Sequence, residues 1–207
     1  MASLSPLIKS GKTIFTTNEI TELWGTTYDS ARNMIMLKVR RDEMYRIKPG
    51  IFTLNKNYNQ FELGCKMMPG SYISLYSVLK KEGVIFQEFS HVYLIGPRAR
   101  QIEIEKTTYE YHTIKKMLFL ELGVKFNTQY SIASIERAIL DCFTVFDTDF
   151  TDFNISKFNK ELFLKLLKFY NKKVQKKASQ FLKYFELGIW IKESVTSSKS
   201  LRNLFPG

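Results

Sequence analysis

Two cysteines, two histidines and five prolines are few for a chain of 207 residues, and the scarcity closes off several kinds of chemistry. Cys65 and Cys142 lie far apart, with no second cysteine or histidine at metal-ligand spacing. That leaves no zinc site and no disulfide framework, and predicts two reduced, partly buried thiols. His91 and His112 both fall in alternating, strand-like stretches, where packing or a surface position is expected rather than catalysis. No window stays apolar over the roughly 20 residues that a membrane span requires. Met1 to Pro6 carries no basic stretch leading into an apolar run, so no secretory signal is expected and the expected location is the cytoplasm. A Gly-rich phosphate loop and a nucleophile motif are missing as well, and neither a metal nor a cofactor is expected.

What the chain has in excess is positive charge. The formal net charge is +11, and it is unevenly spread. Residues 1–54 carry +3 and residues 55–155 carry −1, whereas residues 156–207 carry +9, with twelve Lys and Arg against three Asp and Glu. Two basic ends around a near-neutral middle form a field that attracts a polyanion, and for a protein without an amphipathic anchor that means nucleic acid. A solvated basic surface with no partner is the alternative. Hydrophobic residues make up 44%, enough to bury a core.

From Thr13 the chain reads Thr-Ile-Phe-Thr-Thr-Asn-Glu-Ile-Thr-Glu-Leu-Trp-Gly. Thr17 is expected to cap a short helix with Ile20, Leu23 and Trp24 on one face, and Gly25 to end it. Thr26-Thr27-Tyr28-Asp29 then predicts a second cap and a helix to about Arg41, with Ala31, Met34, Ile35 and Val39 inward. Two helices joined by a tight glycine turn are the helix-turn-helix pattern. Met44 to Ile47 and Ile51 to Leu54 are strand-like and are separated by Lys48-Pro49-Gly50, which reads as a small wing. An ordinary helical hairpin with an inert β-ribbon would share these features.

Further on, Ser71 or Ser74 is expected to cap a helix carrying Leu75, Val78 and Leu79 and stopping at Gly83. Alternation over Val92 to Ile95, Ile102 to Glu105, Tyr109 to Ile114 and Met117 to Leu120 predicts an antiparallel sheet. A helix over Ser134 to Phe146 should turn Ile135, Ala138, Ile139 and Cys142 inward, and the acidic run Asp147 to Asp152 reads as a hinge. Two Lys-rich helices close the sequence. The first carries Phe158, Leu162, Phe163, Leu166, Phe169 and Tyr170; the second carries Val174, Ala178, Phe181, Leu182 and Phe185 and ends at Gly188. These aromatic stripes read as core.

The fold class is therefore α+β, with an N-terminal winged helix-turn-helix over residues 1–60 and an α+β domain over 61–152. A basic helical segment over 153–207 is either separate from that domain or part of it.

The stretch Tyr45-Arg46-Ile47-Lys48-Pro49-Gly50-Ile51-Phe52 is followed by Ser71-Tyr72-Ile73-Ser74-Leu75-Tyr76-Ser77-Val78-Leu79 and Gly83-Val84-Ile85. Tyr109-Glu110-Tyr111-His112-Thr113-Ile114-Lys115-Lys116 and Ile132-Ala133-Ser134-Ile135-Glu136-Arg137-Ala138-Ile139-Leu140-Asp141 come next. In that order, from about Thr13 to Asp141, these segments resemble the AbiEi family of abortive-infection (phage-resistance) antitoxins. The resemblance implies an antitoxin of a type IV toxin-antitoxin system that also represses its own operon by binding inverted repeats in promoter DNA. It implies a nucleotidyltransferase-like toxin as the functional counterpart, without a stable complex. It also implies that the antitoxin effect resides in the C-terminal domain. The chain departs from the family pattern at Lys38, where an apolar residue is expected, and at Asp42, where a glycine often closes the second helix.

On this reading Thr26, Thr27, Tyr28, Ser30, Arg32 and Asn33 face the DNA groove, with Arg32 able to pair with guanine and Asn33 with adenine. Asn33 as a plain solvated surface residue is the competing reading. Arg40, Arg41, Arg46 and Lys48 are the expected phosphate contacts. Lys165, Lys168, Lys172, Lys173, Lys176 and Lys177 are the candidates for a secondary DNA-contacting surface. Catalytic residues are not expected. The enzyme alternative, a nuclease or transferase, would have to recruit Glu103, Glu105 and Asp141 around Mg²⁺. A basic module binding RNA or a protein partner is the other alternative.

Overall fold

A computed structural model describes residues 3–86, 90–115, 122–146, 154 and 156–184. The expected strand at Met117 to Leu120, the acidic run Asp147 to Asp152, and Phe185 and Gly188 lie outside the described residues.

The chain is mixed α and β. It opens with α1 (Ser5–Lys9), β1 (Ile14–Thr16), α2 (Thr17–Trp24), α3 (Tyr28–Arg40), β2 (Tyr45–Lys48) and β3 (Ile51–Thr53). β3 lies between β1 and β2 and runs antiparallel to both. Next come α4 (Gln60–Met67), β4 (Tyr72–Ile73), α5 (Leu75–Lys81), β5 (His91–Ile95), β6 (Arg100–Ile104) and β7 (Thr107–His112). β8 (Val124–Phe126), β9 (Ser131–Ala133), α6 (Ile135–Val145) and α7 (Lys160–Leu167) follow, and a last helix, α8, occupies 172–184.

The second sheet has the order β6-β7-β5-β4-β9-β8 and is mixed, not antiparallel as expected. β6–β7, β4–β5 and β8–β9 are antiparallel, but β5 runs parallel to β7 and β4 parallel to β9. Alternation reports which face of a strand is buried and carries no record of its partner's direction. Leaving β5, the chain first forms β6 on the outside and returns through β7, and that return imposes the parallel register.

Helix α6 is buried from Ile135 to Phe143, not only along the expected stripe. The sheet covers one side of it while α5 and α7 pack on the others. The apolar residues of α7 and α8, Phe163, Leu166, Val174, Ala178 and Phe181, join the same buried cluster as sheet residues Leu94, Tyr109 and Ile73. Completely burying a side chain the size of Phe163 stabilises by about 1.5–3 kcal/mol. Cys142 is fully buried and Cys65 half-buried; both are free thiols, and burial pushes the Cys65 pKa up to about 11.

A smaller cluster of Leu7, Phe15, Ile20, Ile35, Met44 and Phe52 holds the first elements together. Side chains tie these elements to the rest. Thr13 donates from its N–H and its hydroxyl to Glu62 Oε2 at 2.8 and 2.7 Å, and its Oγ1 accepts from the Asn59 N–H at 3.0 Å. Glu19 of α2 pairs with Lys66 of α4 and, at 2.7 Å, with Lys12.

Candidate nucleic-acid interface

The two N-terminal helices owe their ends to local chemistry. Helix α2 is capped by Thr16, not Thr17: the Thr16 hydroxyl accepts from the Glu19 N–H while the Glu19 carboxylate accepts from the Thr16 N–H at 3.0 Å. Glu19 stands three residues after Thr16, the spacing that closes this reciprocal box, which leaves Thr17 as the first helical residue. Gly25 ends the helix in the left-handed region at φ 59°. Two residues later Thr27 caps α3 as expected, accepting from the Ser30 N–H at 3.4 Å and donating to the Ser30 hydroxyl at 3.1 Å.

Helix α3 turns Ala31 and Ile35 fully inward, with Met34 and Val39 half-buried. Its outer stripe is Asp29, Asn33, Met36, Leu37 and Arg40, all exposed at helical spacing, with Arg32 and Tyr28 exposed beside it. Met36 and Leu37 were absent from the expected site, although the run Met34-Ile35-Met36-Leu37 is too long to face inward throughout. Met36 is 37% and Leu37 50% exposed. Thr26 is half-buried, and the Thr27 and Ser30 hydroxyls are engaged with each other. Of the expected groove-facing residues, Tyr28, Arg32 and Asn33 are thus exposed and outside the Thr27–Ser30 pair.

Lys38 and Asp42, where the resemblance leads one to expect other residues, have local explanations. Lys38 points partly inward, its side chain only 13% exposed, and its ammonium meets Glu43 Oε2 at 2.5 Å. Asp42 adopts φ 56°, the left-handed conformation that a glycine would take most readily. The residue differs while the backbone shape is the one a glycine serves.

Beyond Asp42, β2 and β3 form a hairpin with a bulge between Arg46 and Lys48 and a turn at Pro49-Gly50, where Gly50 has φ 78°. The Gly50 carbonyl accepts from the Thr17 N–H at 3.1 Å, which pins the hairpin tip to the start of α2. Arg32, Arg40 and Arg46 are exposed, Lys48 is half-buried, and none of the four forms an ion pair among the described residues. Arg41 is exposed at the α3 C-terminus, its N–H donating to the Leu37 and Lys38 carbonyls.

The expected secondary surface lies on α7 and α8. Lys165 pairs with Glu161 at 2.8 Å in an exposed contact. Lys168, Lys172, Lys173 and Lys176 are exposed and Lys177 is half-buried. Lys172 and Lys173 occupy the first turn of α8, just after Asn171, whose side chain accepts from the Val174 N–H at 3.0 Å. A helix N-terminus disfavours cations, so lysines placed there favour the approach of an anion. Phe169, 48% exposed, stands beside them.

A buried polar network was missed. Asp141 Oδ1 accepts from Arg137 Nε at 3.1 Å and from the Tyr170 hydroxyl at 2.8 Å; Oδ2 accepts from the Tyr72 and Ser74 hydroxyls at 2.9 and 2.8 Å. Arg137 also donates to the Leu122 carbonyl at 3.2 Å and to the Tyr72 oxygen at 3.1 Å. Arg137 and Asp141 have no solvent exposure. Burial pushes the Asp141 carboxyl up against the pull of Arg137 and the three hydroxyls. The i, i+4 spacing of Arg137 and Asp141 on one helix was the legible signal. Ser74, expected as a cap, gives its hydroxyl to Asp141 instead, and α5 starts without a side-chain cap.

This network takes Asp141 away from the hypothetical carboxylate cluster. Glu103 is on the edge strand β6, whereas Asp141 packs on β4, three strand positions or roughly 14 Å away. Among the described residues no group of three His, Cys, Asp or Glu is placed to hold a metal ion, and no helix is long and apolar enough to cross a membrane. Models of known protein families give no match to the chain, and no curated protein matches it.

Proposed function

We propose that the chain is a DNA-binding transcriptional autorepressor and the antitoxin of a type IV toxin-antitoxin system, counteracting a nucleotidyltransferase-like toxin. In this reading α2, α3 and the β2–β3 hairpin act as a winged helix-turn-helix. The carrying observation is the Gly25 turn between two capped helices, followed by a pinned hairpin, with Arg32, Arg40 and Arg46 exposed and without ion pairs among the described residues.

Tyr28, Arg32 and Asn33 enter the major groove and read base edges, each good two-bond pair discriminating by about 1–3 kcal/mol. Arg40, Arg41, Arg46 and Lys48 meet phosphates, and the lysines of α7 and α8 add contacts outside the half-site. Inverted repeats require two copies on half-sites about 34 Å apart, or a multiple of that distance. Four phosphate contacts give a slope of log K against log salt near −3.6, a loss of about a hundredfold between 50 and 200 mM.

The test is a gel-shift titration of the full chain on its own upstream DNA and on a scrambled duplex, at two salt concentrations. Arg32→Ala and Asn33→Ala should abolish the preference for the native promoter, and Arg46→Ala should lower the salt slope by about 1 on both DNAs. Equal binding to both duplexes, unchanged in the variants, overturns the assignment. Protection of cells expressing the neighbouring toxin gene tests the antitoxin half separately.

Exposed Phe169 and Tyr184 beside the α7 and α8 lysines favour a second reading, a module that stacks single-stranded RNA. Tighter binding to single strands than to any duplex would select it.

A further inference from the structure

A cavity of about 400 Å³ opens beside the first turn of α4, where β5 and β7 begin. Its volume falls in the roughly 300–1,000 Å³ range of small-molecule sites. Phe61, Tyr76 and Val92 give it an apolar wall. Ser77, Ser90 and Thr107 bring hydroxyls, and Gln60 brings an amide. Among the described lining residues the charged side chains are Lys80 and Lys81 from α5 and Lys106 from the β6–β7 turn; Lys80 is engaged with a partner of its own, which leaves Lys81 and Lys106 to meet an anion.

The placement follows from the fold. Tyr76 and Lys80 are four apart on α5, as are Ser77 and Lys81, so each pair stacks along the helix, and both pairs line the cavity. Lys106 is carried in by a tight turn in which Glu105 takes φ 54°. His91 enters from the start of β5, in register with Thr108 of β7. Glu82 lies 3.5 Å from Lys81 Nζ and is shared with Lys157 at 3.5 Å, a loose exposed contact that a phosphate can displace.

Apolar side chains, hydroxyls and ammonium groups around one cavity are the three kinds of contact that a base, a sugar and a phosphate require. We propose that this cavity binds a mononucleotide, with the base against Phe61 and Val92 and the phosphates held by Lys81 and Lys106. Nothing in the site requires the DNA-binding reading. The nucleotide is a bound ligand here, and no reaction is assigned to it.

Isothermal titration of the full chain with ATP, GTP, the parent nucleosides and pyrophosphate is the direct test. A nucleotide should saturate the site in the micromolar range and raise the melting temperature, with nucleoside and pyrophosphate each at least about tenfold weaker. Lys81→Ala with Lys106→Ala should weaken nucleotide binding by about ten- to a hundredfold, and Lys106→Ala alone, on an exposed turn, by about tenfold. Arg32→Ala should bind nucleotide as the unmodified chain does, which separates this site from the proposed DNA surface. No saturation at about 1 mM nucleotide overturns the proposal, as does pyrophosphate binding as tightly as nucleotide, or affinity untouched by the lysine variants.

Discussion

Replacing Asp141 with alanine strips the carboxylate from a guanidinium that solvent does not reach. Arg137 keeps the Leu122 carbonyl and the Tyr72 oxygen as acceptors, but loses the carboxylate that faces its charge in the core. Breaking a buried pair in this way costs about 3–5 kcal/mol. The Ser74 and Tyr170 hydroxyls lose their acceptor at the same time, and a buried donor left unmade costs about 1–3 kcal/mol. These terms overlap, so about 4–6 kcal/mol is the expected loss, against a total stability of about 5–15 kcal/mol for a domain. In thermal melts a loss of that size is a drop of roughly 10–20 °C for a chain of this length. The comparison that isolates the charge is Arg137→Met with Asp141→Leu, which removes both ions and should cost less than Asp141→Ala alone. Urea unfolding of the two variants, followed by circular dichroism, gives both numbers. An Asp141→Ala loss below about 1 kcal/mol, or a double variant less stable than the single, would refute the view that this pair is a mutually dependent buried unit.

Glu19 provides a pH-dependent prediction. Burial raises its pKa, but the ammonium groups of Lys12 and Lys66 and the Thr16 N–H outweigh that and hold it at about 2, against an ordinary value of 4.5. The folded pKa is depressed, so the stabilisation is complete above about 4.5 and disappears as pH falls through about 2. Glu19→Gln retains a capping-box side chain while removing the charge; allowing for partial exposure, it should cost about 1–2 kcal/mol at pH 7 and almost nothing near pH 2. A cost independent of pH in urea titrations would contradict this assignment. Asp42→Gly should stabilise by about 0.5–1 kcal/mol, since the left-handed backbone at φ 56° strains any residue with a Cβ; a lowered melting temperature would show that the Asp side chain matters more than the backbone.

The legible parts of the fold were those with local causes. Gly25, Thr27 and Pro49-Gly50 announce a helix end, a helix start and a hairpin turn within two or three residues, and α2, α3, β2 and β3 stand where those signals put them. The 3.6-residue spacing of Phe163, Leu166, Val174, Ala178 and Phe181 likewise marked them as core, and they are buried. The two-residue β4 and the three-residue β1, β8 and β9 were not read, because two or three residues are too short to establish a period. Helix α4, with Gly64 in its middle against Leu94 and Tyr109, was not read; a Cβ there would stand 3.0 Å from Leu94, so close packing accounts for a residue that weakens the helix signal. Parallel pairing of β4 with β9 joins Ile73 to Ile132, a relation between residues almost sixty positions apart that no local pattern records. At the candidate interface the exposed cations were legible from charge alone, while Met36 and Leu37 emerged only once the structure fixed the inward face of α3.

The separation of the two clusters also sets an order of assembly during synthesis. Every residue of the smaller cluster, from Leu7 to Phe52, is synthesised before the first strand of the larger sheet. The larger sheet must wait for Ile132 to flank Ile73, and the Asp141 carboxylate for Tyr170. At about 5–20 residues per second, the interval between Phe52 and Tyr170 is on the order of ten seconds. During it, a growing chain would already present the basic helix-and-hairpin surface while Arg137 and Asp141 were still in water, and any polyanion met in that interval would encounter the first module before the rest of the protein had closed behind it.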